Sequence, residues 1–153
     1  MQQKDMKVKT YRKVLLALEL DKSVDSSPIH HALEIVEACE SELYVIHVIE
    51  HMGSYGAAYG VAAGADIESI IYAKARDAMN EVCNTLPLEE DHLILKQGGS
   101  AYTILDEAER VGADLIVVGS HEINGVRLII GSTADCIVTK AKCDVLAVKV
   151  SKD

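Results

Sequence analysis

Residues 114–138 read DLIVVGSHEINGVRLIIGSTADCIV: an apolar run, Gly119, a mixed loop, then Gly131-Ser132-Thr133 at the head of a second helical pattern. Small residues at a strand exit and a helix start bring backbone N–H groups and hydroxyls to one place, which suits an anion such as phosphate. In this reading Gly119 lets a ligand approach the backbone, while Ser132 and Thr133 supply hydroxyls and helix-start amides. An ordinary helix cap flanked by glycine turns has the same composition, so the pattern alone stops short of a named nucleotide.

Around this segment stand the charged and titratable candidates. Arg127 could neutralise phosphate oxygens with its planar fork of donors. Glu19 and Glu122 oppose that role, because carboxylates repel a polyphosphate unless a divalent cation such as magnesium intervenes. Among the six histidines, only His121 falls inside the proposed phosphate loop, balanced between a ligand contact and a solvated loop residue. His47 interrupts an apolar strand and reads as a hydrogen-bonded core residue; His30 and His31 read as exposed on a helix. The chain has no GxxxxGK[ST], which excludes a P-loop ATPase. It has no GxGxxG after the first strand, which argues against a dinucleotide-binding enzyme, and no GxSxG elbow to support a hydrolase.

The elements that must position these residues alternate. Short apolar runs at 13–20, 43–49, 92–96, 115–118 and 145–150 read as strands. Between them, helical spacing of apolar residues predicts helices over 28–40, 66–86, 100–112 and 132–141. Ser26 or Ser27 is the expected N-cap of the first, Ser100 that of the third, and Gly112 ends the third. The order βαβαβαβαβ with strands apolar on both sides requires a parallel sheet covered on both faces. Ligands of such sheets sit outside the carboxyl ends of the strands where the order reverses, which makes Glu19 and Gly119 natural neighbours. Residues 50–65, rich in glycine and alanine, read as a surface loop too small-residue-rich to pack a core.

Composition bounds the rest. At 153 residues the chain suffices for one domain that buries roughly 70% of its unfolded surface. Its 49% hydrophobic and 25% charged residues are those of a globular protein, and without Phe or Trp the core must be aliphatic. A net charge of −9 disfavours nucleic acid as a partner, since a polyanion is held by clustered Lys and Arg. The longest apolar runs are far short of the roughly 20 residues of a membrane span, so no membrane association is expected. The polar N-terminal residues lack a secretory pattern, which points to the cytoplasm and to reduced thiols at Cys39, Cys83, Cys136 and Cys143.

The chain resembles the universal stress protein family over nearly its whole length. The carrying residues are KVLLALELDKS at the first strand, LYVIHVIE at the second, ADLIVVGSHE at the fourth and GSTADCIVTKAKCDVLAVKV at the end. The resemblance implies a single domain over 1–153: an open five-stranded parallel α/β sheet, strand order 3-2-1-4-5, with helices on both faces, of the adenine nucleotide alpha hydrolase-like kind. It implies ATP, with magnesium, as a regulatory ligand of a cytoplasmic stress-response homodimer rather than as the fuel of an enzyme. Slow hydrolysis or self-phosphorylation on Ser132 or Thr133 is behaviour the family implies. Carried over by position, Ala17, Leu18 and Glu19 lie beside the nucleoside and Val48 offers its backbone to adenine. Val118 and Gly119 flank the ribose, and Gly131, Ser132 and Thr133 hold phosphates. Glu19 replaces the family's usual aspartate, Glu122 its second glycine, and the loop to Gly131 is one residue shorter. Dimerisation through the last strand, Val145 to Val150, would cover an apolar edge. The alternative is a nucleotide-free dimeric interaction module of the same fold, favoured by Glu19 and Glu122; an enzyme using His121 ranks below both.

Overall fold

Residues 7–20, 26–50, 64–121 and 133–150 are described by the structure, a computed structural model. The branched apolar runs form β1 (Lys13–Ala17), β2 (Glu42–Ile49), β3 (Leu93–Gln97), β4 (Leu115–His121) and β5 (Asp144–Val150). The amphipathic stretches form α1 (Ser27–Cys39), α2 (Gly64–Cys83), α3 (Ser100–Val111) and α4 (Thr133–Lys140). All neighbouring strands pair in parallel, in the order β3-β2-β1-β4-β5 that the resemblance implies.

Because side chains of a strand alternate between faces, each central strand feeds two cores. Leu15, Ala17, Ile46, Val48, Ile116 and Val118 face Ile104, Ala108 and Val111 of α3 and Ile137 of α4. Val14, Leu16, Val45, Leu115 and Val117 face the other way, onto Ala32 of α1 and Met79 and Cys83 of α2. Strands buried on both sides explain why the runs read as continuously apolar rather than alternating.

Polar ties hold the amino-terminal edge of the sheet. Asp114, just ahead of β4, accepts hydrogen bonds from the backbone N–H of Arg12 at 2.9 Å and of Lys13 at 2.9 Å. Its own N–H donates to the Lys13 carbonyl at 3.0 Å. This side chain sets the start of β4 against the start of β1, and thereby the register in which Leu15 pairs with Ile116.

Several boundaries depart from expectation. β1 ends at Ala17 rather than at residue 20, and β4 continues through Gly119 to His121 rather than stopping at Val118. Gly119 is therefore no strand exit: it is paired with Val148 inside the sheet. A 3-10 turn, Glu90–His92, takes His92 out of β3. Gly99, not Ser100, occupies the cap position of α3, and Ser26 caps α1 without a side-chain hydrogen bond. Gly112 does end α3, in the left-handed conformation (φ 73°) that glycine accommodates best. Of the expected loop at 50–65, positions 51–63 lie outside the described residues, and α2 begins at Gly64.

Candidate functional site

The site follows from where two neighbouring strands stop pairing. β1 and β4 are in register from Val14–Leu115 to Leu16–Val117. Beyond that, β1 leans on β2, with the Leu18 N–H donating to the Ile46 carbonyl at 2.8 Å, while β4 stays with β5 as far as His121–Val150. Their carboxyl ends part, and the parting opens a crevice at the point where the strand order reverses.

That crevice is a cleft of about 160 Å³ lined by Ala17, Leu18, Glu19, Val48, Val118, Gly119, His121 and Thr133, together with Ile46, His47, Ser100, Ile104 and Ala134. Eight of the residues expected from the sequence are thus brought to one place. Arg127, Gly131 and Ser132, and Glu122 with them, lie outside the described residues. His47 and Ser100 were missed as cleft residues. The signal for His47 was its place beside Val48 at the end of β2; for Ser100 there was none beyond its helix start.

Two histidines set the polar chemistry. His47 Nδ1 lies 2.8 Å from the Leu18 carbonyl, as the hydrogen-bonded residue expected from its position, and ties the β1 exit to β2. His121 Nε2 lies 2.7 and 2.8 Å from the two carboxylate oxygens of Glu19, joining the β1 exit to the end of β4. The Nδ1 atom of His121 is buried and has no hydrogen-bond partner among the described residues. Buried polar atoms are rarely left so.

Gly119 serves packing as much as the cleft. A Cβ built there would lie 2.8 Å from Val150 Cγ2 and 3.6 Å from Pro28 of α1, so the missing side chain makes room for the last residue of β5. The glycine was read as a place for a ligand to approach; the close neighbour is Val150.

The remaining titratable groups lie elsewhere. His92 hydrogen-bonds the Leu43 carbonyl through Nδ1 at 3.0 Å and stacks on Tyr44, at the opposite end of the sheet. His30 and His31 are exposed on α1. All four cysteines are free, and burial pushes the Cys83 thiol up to about 11. Among the described residues no helix is long and apolar enough to cross a membrane.

Fold and cleft together define a class: an open, doubly wound α/β protein with its site at the topological switch point. A profile described as the universal stress protein family matches residues 10–149, and the chain belongs to that family. It is 45% identical over 140 residues to universal stress protein A homolog 2 of Coxiella burnetii, covering 92% of this chain and 96% of that one. The universal stress protein UspA from Lactobacillus plantarum superposes with a TM-score of 0.69 at 22% identity, over 92% of this chain and 99% of that one. A universal stress protein solved in complex with cAMP superposes with a TM-score of 0.58 at 17% identity, over 92% of this chain and 98% of that one.

Proposed function

We propose that the protein is a cytoplasmic stress-response protein that binds ATP as a regulatory ligand in the cleft between β1 and β4, and acts as a homodimer through β5. The observation that carries the reading is the parting of β1 from β4 after Leu16 and Val117, which opens a cleft bordered by Val48, Val118, His121 and Thr133. A universal stress protein of the same fold binds cAMP, itself an adenine nucleotide. In this reading adenine lies at the Val48 backbone, ribose against Val118 and Gly119, and phosphates on Gly131, Ser132 and the start of α4 at Thr133. The described walls enclose about 160 Å³, less than the roughly 300–1,000 Å³ of complete small-molecule sites.

Magnesium fits on the phosphates better than on Glu19. Both oxygens of Glu19 already accept from His121, so a cation at that carboxylate would have to displace the imidazole. In this proposal the ligand is regulatory, as the resemblance implies. Slow hydrolysis or self-phosphorylation on Ser132 or Thr133 is compatible with that role. For the dimer, β5 lies at the edge of the sheet and pairs with β4 alone among the described strands, with Val145 and Leu146 half-buried and Ala147 exposed. A second copy would cover this edge.

Equilibrium binding of ATP, with and without magnesium, tests the ligand; saturable binding tighter than millimolar is expected. The second reading, a dimeric scaffold without nucleotide, is favoured by the Glu19–His121 contact across the cleft mouth. It predicts a dimer in sedimentation and no binding of ATP at all.

A further inference from the structure

We propose that Glu89, Asp91 and His92 form a binding site for a divalent transition-metal ion, zinc by the chemistry of its donors, at the amino-terminal end of the sheet. The site is separate from the cleft between β1 and β4 and does not rest on the nucleotide reading.

The backbone brings the three side chains together. The His92 N–H donates to the Glu89 carbonyl at 3.0 Å and closes the 3-10 turn Glu90–His92 ahead of β3. Side chains three apart eclipse in such a turn, so Glu89 and His92 come to the same side, with Asp91 next to the histidine. One donor atom from each lies within 4.8 Å of the other two. Two exposed acids alone would be an ordinary solvated surface. The imidazole makes the difference.

His92 is held as a metal ligand is held. Its side chain is 13% exposed, and its ring stacks on Tyr44 with centroids 3.9 Å apart and planes at 22°. Its Nδ1 lies 3.0 Å from the Leu43 carbonyl on β2. A carbonyl only accepts, so Nδ1 carries the proton and the lone pair of the neutral ring is at Nε2. Metal-binding histidines are oriented in this way, with the far N–H donated to a backbone carbonyl or a carboxylate.

Nε2 faces the two acids, 3.9 Å from Asp91 Oδ1 and 4.0 Å from Glu89 Oε2. These separations are too long for hydrogen bonds. They are about half an ångström wider than the roughly 3.4 Å between neighbouring ligand atoms of a tetrahedral zinc ion. Glu89 and Asp91 are 80% and 82% exposed, so their side chains can close that gap without disturbing the core. One imidazole and two carboxylates suit zinc, whereas magnesium and calcium favour all-oxygen sets. Three protein ligands leave the fourth position to water.

The experiment titrates zinc chloride into the full chain, labelled with nitrogen-15 in its histidine rings and kept reduced with a phosphine, and follows each imidazole by NMR; His92→Ala assigns the His92 signals. Before zinc, the His92 ring should be the Nδ1–H tautomer. With zinc, its Nε2 signal should shift saturably at micromolar concentration while Nδ1 keeps its proton. The double variant Glu89→Gln, Asp91→Asn changes two exposed side chains, and circular dichroism checks that it folds. It should bind at least about tenfold more weakly, the loss that even an outer-shell partner of a ligand causes. An unshifted His92 while thiols or other histidines take the ion would overturn the proposal. So would an Nε2–H tautomer in the free protein, or undiminished affinity in the double variant.

Discussion

Glu19 and His121 are separated by 102 positions in sequence, and both carboxylate oxygens of Glu19 lie within 2.8 Å of the His121 Nε2 atom. The contact exists because β1 and β4 are neighbours that run in parallel and separate at their carboxyl ends, each delivering a polar side chain to the same opening. It also changes what Glu19 is. A bare carboxylate at this mouth would repel a polyphosphate, whereas one that accepts an imidazole N–H orients a hydrogen-bonding group.

The space beside Gly119 is filled by Val150, so Gly119→Ala should destabilise the fold by about 1–3 kcal/mol through overpacking. No left-handed backbone is involved, since Gly119 is absent from the positive-φ glycines. Val150→Ala in the same chain should recover most of the loss. Urea unfolding of the two single variants and the double variant measures it as a cycle; purely additive effects would mean that the contact is not the cause.

Asp114 accepts from two backbone N–H groups at the start of β1. Asp114→Ala should lower the unfolding free energy by about 1–3 kcal/mol, because those donors are left without their partner. Amide hydrogen exchange at Arg12 and Lys13 should accelerate in the variant, and unchanged protection there would contradict the assignment.

Cys83 is 6% exposed, and burial pushes its thiol from the ordinary 9.0 up to about 11. The folded state then holds this proton to higher pH than the unfolded chain does. The associated stability is complete below pH 9 and is lost as pH rises towards 11. Denaturant unfolding of the wild type and Cys83→Ala between those limits should show the steeper decline in the wild type. At neutral pH, iodoacetamide should modify Cys39, Cys136 and Cys143 before Cys83.

Much of this architecture was legible from composition and spacing. Five apolar runs and four amphipathic stretches appear where expected, because strands buried on both faces and helices buried on one leave different patterns in a chain. The strand order was not among those patterns; it came with the resemblance, since parallel neighbours are chosen by tertiary packing. The end of β4 was misplaced because glycine reads locally as a stop, while here it is pairing with Val148 and making room for Val150 that keeps the strand going. Val48, Val118 and Thr133, which the resemblance named, line the cleft. That His121 and Glu19 would meet could not be read from either residue's neighbours, because the contact depends on where two distant strands part company.

The central claim is that a nucleotide sits at the carboxyl ends of β1, β2 and β4. Titrating an isotopically labelled sample with ATP and following its backbone amide resonances tests this most directly. Saturable shifts should centre on Leu18, Glu19, Val48, Gly119, His121 and Thr133, with Leu93 and Asp144 at the opposite end of the sheet unmoved. An unchanged spectrum at millimolar ATP, or shifts centred on that opposite end, would contradict it.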